Sequence, residues 1–243
     1  MNILLTNDDG YKNELLTGFA ASLTFIGHNV TIVAPLVNKS AVAHGVTLHK
    51  PISVYPQENN IYAIDGTPVD CIYLALNAIM DKTPDLVISG INNGPNYGDD
   101  TVYSGTVAAA REAYMKGVRS ISISRLEGDE LTDAEVIHIA TAVVEKLSEY
   151  PLDTYFFNVN IPNVKDLTPK FKFGYISQKR RWDETVSYIT TDEEIKYYKI
   201  GGKERENRFP SGSDADILSK GIISVTPCNI SCTNFNVLTT ILE

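Results

Sequence analysis

The sequence predicts an α/β fold: a Rossmann-like, mostly parallel sheet flanked by helices, with an extended β-hairpin arm in the C-terminal part. Three observations predict it. The chain opens on Asn2-Ile3-Leu4-Leu5-Thr6, a short apolar run cut off at once by Asn7-Asp8-Asp9-Gly10. Such a run suits a parallel strand covered on both faces. Up to Pro162, similar runs alternate with amphipathic or well-capped segments, as strands alternate with helices in a parallel sheet. After Pro162 the texture changes, and Phe171 to Ile200 is rich in Tyr, Phe, Ile, Thr and Val, which reads as strands.

Taken in order, Tyr11 to Ile26 predicts a helix, with Leu15, Leu16, Phe19, Leu23 and Ile26 on one face and Gly27 as its stop. The Asp pair therefore falls in a strand-to-helix turn. Asn29 to Ala34 is the second strand, followed by a polar loop from Leu36 to Gly45. Thr47 to Val54 and Ile61 to Ile64 read as extended. Thr67 as N-cap and Pro68 at the first helical position open a helix to about Asp81. Asp85 to Ser89 is a buried strand, and Gly90 to Asp100 is a loop with three Asn, three Gly and a Pro. Ser104 caps a helix reaching Gly117, and Arg119 to Ser124 is the next strand. Thr132 and Glu135 form a capping box for a helix to about Leu147, and Thr154 to Ile161 is a further strand.

In the C-terminal part, Thr185 to Ile189 and Ile195 to Ile200 form a hairpin around Thr191-Asp192-Glu193-Glu194. An isolated hairpin is marginal and exposes edges, so it must dock on something. Ser213 to Lys220 reads as a short helix and Ile222 to Thr226 as a returning strand. The expectation is a single domain, 1–243, with a hairpin arm at about 171–200 and a C-terminal extension at about 221–243.

Composition narrows the functional classes. The chain has 243 residues, 43% hydrophobic and 21% charged, which is ordinary globular composition. A formal charge of −9 argues against a general binder of nucleic-acid polymers, which would show a basic stripe. A small phosphorylated substrate stays open, because a bound metal reverses the local field. Cys71, Cys228 and Cys232 make neither a disulfide framework nor a four-ligand zinc site. With no apolar run long enough for a membrane span and no positive n-region, the expected location is the cytoplasm, without a membrane partner.

The candidate chemistry gathers at the carboxyl ends of the expected strands, where open α/β sheets bind ligands. Adjacent Asp8 and Asp9 repel unless a cation lies between them. Equally, Asp-Gly is a turn signal and Asp9 a potential helix cap. Ser40 is a third candidate oxygen ligand, although a loop Ser is usually a turn residue and His44 beside it a surface residue. Asn92 and Asn96 offer neutral amide contacts from the Gly-rich loop. Ser104 and Gly105 begin a helix whose N-terminus could hold phosphate. Lys179-Arg180-Arg181-Trp182-Asp183 could touch a ligand, although mixed charge near a hairpin is usually a solvated face. Two carboxylates with neutral oxygens suit Mg²⁺ or Mn²⁺, and a nearby helix N-terminus would complete equipment for phosphate ester hydrolysis.

These residues resemble a known family. Asn7-Asp8-Asp9-Gly10, Gly66-Thr67-Pro68, Asp70-Cys71, Ser89-Gly90-Ile91-Asn92, Gly94-Pro95-Asn96 and Tyr103-Ser104-Gly105-Thr106-Val107 are similar to motifs of the survival protein E (SurE) family. The likeness is strong over about the first 125 residues and loose beyond. It implies a metal-dependent 5′(3′)-nucleotidase that dephosphorylates nucleoside monophosphates, some members also cleaving polyphosphate. By that resemblance Asp8, Asp9, Ser40 and Asn92 are metal ligands for one divalent ion per subunit, with Asp8 and Asp9 also catalytic. Asn96, Ser104, Gly105 and Thr106 carry over as the substrate side, and hairpin exchange implies a homodimer or homotetramer. Two departures stand out. Lys12-Asn13-Glu14-Leu15 replaces a small Gly-containing turn, and Ala41 and His44 stand where the family tends to have Gly and Ser.

Three other readings compete, one of them a phosphatase acting mainly on other phosphoesters or polyphosphate. A phosphatase with an aspartyl nucleophile needs Asp-x-Asp, and Asn7 occupies the first place. A non-catalytic nucleotide-binding module would bind nucleotide without releasing phosphate.

Overall fold

The computed structural model describes residues 1–151, 154–165, 170–177, 185–192, 194–202 and 209–231. The N-terminal elements are β1 (Asn2–Thr6), α1 (Glu14–Phe25), β2 (Asn29–Pro35), β3 (Val54–Pro56), β4 (Ile61–Ile64) and α2 (Pro68–Leu74), which a π-helical turn, Ala75–Ile79, extends. Next come β5 (Leu86–Asn93), α3 (Asp100–Tyr103), α4 (Gly105–Met115), β6 (Ser120–Arg125), α5 (Asp133–Leu147) and β7 (Phe156–Ile161). Then follow β8 (Phe171–Phe173), β9 (Thr185–Asp192), β10 (Ile195–Gly201), α6 (Asp214–Ser219) and β11 (Ile223–Cys228).

Nine strands form one sheet in the order β3-β4-β2-β1-β5-β6-β7-β11-β8. The six strands from β4 to β7 are parallel. β3 is antiparallel to β4, and β11 is antiparallel to β7. The chain leaves β1 on one side for β2 and β4, then crosses to the other side for β5, β6 and β7. The strand order thus reverses between β1 and β5, and a crevice opens at their carboxyl ends.

Side chains alternate across these strands as a sheet covered on both faces requires. Ile3, Leu5, Leu86 and Ile88 face one core with Leu16, Phe19 and Leu23 of α1 and Val136, Val143 and Leu147 of α5. Leu4 and Val87 face the opposite core with Cys71 and Ile72 of α2 and Ala109 and Ala113 of α4. Each large apolar side chain buried this way contributes about 1.5–3 kcal/mol. Cys71 is a fully buried free thiol within this packing.

Several boundaries differ from the sequence expectation. α1 starts at Glu14 rather than Tyr11, because the Asn13 side chain accepts the Leu16 N–H and caps the helix there. Residues 47–53 form no strand: the Thr47 backbone N–H and hydroxyl both bind the Asp70 carboxylate, at 2.8 and 2.7 Å, so they are spent outside the sheet. The same carboxylate closes a capping box with Thr67 at the start of α2. β5 runs on to Asn93, and α3 is an additional turn before α4.

β9 and β10 pair as an antiparallel hairpin in their own two-stranded sheet. Both strands are solvent-exposed throughout, with Val186 67% and Ile200 81% accessible. The Lys179–Asp183 run and residues 232–243, including Cys232, lie outside the described residues. Among the described residues no helix is long and apolar enough to cross a membrane.

Candidate active site

The turn after β1 is built by Asn7. Its buried side-chain amide donates to the Gly10 carbonyl at 3.0 Å and accepts the Gly10 N–H at 3.1 Å. An ionised Asp could accept but not donate, so Asn closes this turn and Asp would open it. Asn7 is consumed in that turn, which removes the first residue an Asp-x-Asp nucleophile would require. Helix capping falls to Asn13 and turn closure to Asn7, so neither role is taken by Asp9.

Asp8 lies against the loop after β2, whose Lys39 N–H donates to the Asp8 carbonyl at 2.7 Å. Asn38 reaches the Asp9 carboxylate at 3.3 Å and also accepts the Ser40 N–H at 2.9 Å, which orients Ser40 beside the pair. Ala41 and Ala43 follow with φ of 58° and 52°. A Cβ in that left-handed region costs roughly 1–2 kcal/mol, a strain that Gly at the Ala41 position would not carry. His44 is no free surface residue: its Nε2 lies 2.9 Å from the buried carboxylate of Glu112, tying the loop to α4.

Asn92 arrives from β5 through a local break in the ladder. The β5–β6 register shifts between Ser89 and Asn92, at Gly90 with φ of 135°. A Cβ on Gly90 would collide with the Ile123 backbone carbonyl oxygen, so only Gly fits. The Asn92 amide then donates to the Gly94 carbonyl at 2.6 Å, leaving its oxygen outside that bond.

Asn96 is held from below. Its backbone N–H donates to Asn160 at 2.7 Å, and its carbonyl accepts from Asn158 at 2.7 Å and Asn160 at 3.0 Å. One Asn96 amide proton goes to Ser124 at 2.8 Å. Sequence reading missed Asn158, Asn160, Ser124 and Glu112. The available signal was two Asn at period two in the otherwise apolar run Phe156-Phe157-Asn158-Val159-Asn160-Ile161, since buried Asn needs a stated partner.

Asp8, Asp9, Ser40, Asn92, Asn96 and Ser104 all line one open cleft of about 320 Å³ at the β1–β5 switch point. Ser104 caps α4 by accepting the Val107 N–H at 3.1 Å. Gly105 and Thr106, expected on the substrate side, are not on the cleft wall. Thr106 is fully buried, and its hydroxyl donates to Asp8 Oδ1 at 2.8 Å.

Burial pushes the Asp8 carboxyl up to about 6; the Thr106 hydrogen bond opposes this and the Asp9 charge adds to it. Burial also raises Asp9, against a lowering contribution from the Asn93 backbone. Asp9 Oδ2 is buried and makes no hydrogen bond. A buried carboxylate oxygen without a partner is costly, and a cation would supply the partner. Among the described residues no group of three or more His, Cys, Asp or Glu is arranged to hold a metal ion, so a metal here would draw on two carboxylates and neutral oxygens. That donor set fits a hard ion such as Mg²⁺ or Mn²⁺ and not zinc.

Fold and cleft together define an α/β protein of Rossmann strand order with a cleft of carboxylate and neutral oxygen groups at its switch point. The chain belongs to the SurE family: the family model for survival protein SurE matches residues 3–184. A protein of Geotalea uraniireducens named 5′-nucleotidase SurE is 38% identical over 98% of this chain and 96% of its own length. Another with that name, from Caldanaerobacter subterraneus, is 36% identical over 96% of this chain and 93% of its own. The crystal structure of the SurE protein from Aquifex aeolicus superposes with a TM-score of 0.86 at 33% identity, covering 99% of this chain and 98% of that one. The likeness therefore reaches well past the first 125 residues where the motifs are densest.

Proposed function

We propose that this chain is a divalent-metal-dependent phosphomonoesterase that hydrolyses nucleoside 5′(3′)-monophosphates to nucleoside and inorganic phosphate. One observation carries the reading. Among the described residues the cleft is lined by Asp8, Asp9, Asp100 and Glu127 and by no Lys or Arg, and one of its carboxylate oxygens is buried without a partner. A phosphate dianion cannot enter such a wall unless a cation comes with it. The relatives named 5′-nucleotidase SurE support the substrate class.

Asp8, Asp9, Ser40 and Asn92 would hold one Mg²⁺ or Mn²⁺ per subunit. When bound, that ion supplies charge neutralisation and Lewis-acid polarisation of the phosphoryl group. The chain does the rest. Ser104 accepts the Val107 N–H, so its own hydroxyl proton remains available for a phosphate oxygen. Asn96 keeps a second amide proton for the same purpose, and its position is fixed by the buried Asn158 and Asn160. A phosphate-release panel over nucleoside monophosphates, with and without EDTA, tests the proposal. Release that EDTA abolishes and Mn²⁺ restores is expected. Nucleotide binding without any phosphate release would identify a binding module instead.

The hairpin carries a second part of the reading. β9 and β10 expose Val186, Tyr188, Ile189, Ile195, Tyr197, Tyr198 and Ile200 together, more apolar surface than a free arm tolerates. We infer that it packs on a second copy, giving a homodimer or homotetramer. Light scattering is expected to report at least twice the chain mass at micromolar concentration, and a stable monomer there would refute this.

A further inference from the structure

Thr106 has no part in the reaction as described so far, yet it is fully buried directly behind Asp8. Its hydroxyl donates to Asp8 Oδ1 at 2.8 Å. Its backbone N–H also stabilises the charged carboxylate. The neighbouring first-turn donors of α4 are taken elsewhere: Val107 N–H by the Ser104 hydroxyl and Ala108 N–H by the Ser104 carbonyl. Gly105 completes the arrangement, since a Cβ there would stand 3.2 Å from Asp8 Cβ and 3.2 Å from Pro68 Cγ. The start of α4 therefore packs against Asp8, and Thr106 has no exposed surface.

We propose that Thr106 is a positioning residue for Asp8: its hydroxyl fixes the rotation of the carboxylate and so the direction in which Asp8 meets a divalent cation in the cleft. The first turn of α4 then serves a metal ligand rather than the substrate phosphate. This rests on the reading of the cleft as a metal site. A carboxylate can rotate about its Cβ–Cγ bond, and a short hydrogen bond from a buried hydroxyl stops that rotation. Partners that orient a metal ligand in this way are worth 10–100-fold in metal affinity.

The test is calorimetric titration of the chelator-stripped chain with Mn²⁺, paired with AMP kinetics at saturating Mn²⁺. Thr106→Val keeps the shape and removes the hydroxyl; its Mn²⁺ affinity is expected to fall by about 10–100-fold, while KM for AMP at saturating Mn²⁺ stays near the parent value. Thr106→Ser restores the hydroxyl and is expected to recover most of the affinity. Should Thr106→Val fail to fold, Thr106→Ala against Thr106→Ser gives the same comparison. Parent-like Mn²⁺ affinity in Val or Ala would overturn the proposal, as would a Ser variant no better than Ala. A raised KM with unchanged Mn²⁺ affinity would return Thr106 to the substrate. If the parent chain itself bound no Mn²⁺, the metal-site reading would fall, a result distinct from all of these.

Discussion

Asp9→Asn is expected to lower phosphate release by roughly 10²-fold or more, in the range of losing one electrostatic stabiliser of the reacting charge. Asn keeps the shape of Asp but removes one negative charge and one anionic oxygen. If that oxygen, the unpartnered Oδ2, faces the cation, metal affinity falls with it. The metal-stripped fold should respond in the opposite sense. Burial raises the Asp9 carboxyl, so at neutral pH holding it ionised works against the folded state, and the neighbouring Asp8 adds repulsion. Asn removes both, and the thermal midpoint in EDTA should be unchanged or slightly higher. A residue that only shaped the turn would behave otherwise, because Asn substitutes well in turns and caps and activity would barely move. Phosphate release and thermal midpoints for both proteins, each with Mn²⁺ and with EDTA, make the comparison. Near-normal metal-dependent turnover in Asp9→Asn would defeat the site as assigned.

The largest expected effect on the fold itself is at Gly90. Gly90→Ala should destabilise the chain by about 2–4 kcal/mol, from an unfavourable φ and a forced backbone shift together. The φ is 135°, and the new Cβ would meet the Ile123 carbonyl, which is backbone of the adjacent strand and cannot swing aside. Relief requires β5 and β6 to part where the register shifts, two residues from Asn92. Stability and metal affinity should therefore fall together. Gly117→Ala is the control: its φ is 75°, but a Cβ there meets nothing within 4 Å. It should cost only the left-handed strain, about 1–2 kcal/mol, and leave the cleft alone. Urea unfolding of the two variants separates them, and equal losses would mean that the contact with Ile123 relaxes without cost.

The sheet was legible because its strands are short apolar runs with polar ends, and because strand-to-helix turns repeat at the same end. That Asp8, Asp9, Ser40 and Asn92 would line one crevice was legible for the same reason: they follow strands whose carboxyl ends a parallel topology must bring together. What periodicity could not show was which groups face each other across loops. Thr106 is placed on the substrate side by the family resemblance, and no pattern in the sequence shows that β1 also brings Asp8 to within a hydrogen bond of its hydroxyl. His44 reads as a surface residue until α4 presents Glu112 to it. Residues 47–53 carry a strand-like composition, but the Thr47 backbone is claimed by Asp70 more than twenty residues on. Asn158 and Asn160 are polar residues in a buried strand, explained only when the loop bearing Asn96 lies above them.

The Asp8–Asp9 crevice is proposed to work through one bound divalent cation. Titrating the chelator-stripped chain with Mn²⁺ while recording both ion binding and phosphate release from AMP tests it most directly. Saturation at one ion per chain is expected, with release rising in proportion to occupancy and both responses lost or strongly weakened in Asp9→Asn. Phosphate release at full rate in the stripped chain, or Mn²⁺ binding that survives unchanged in Asp9→Asn, would contradict it.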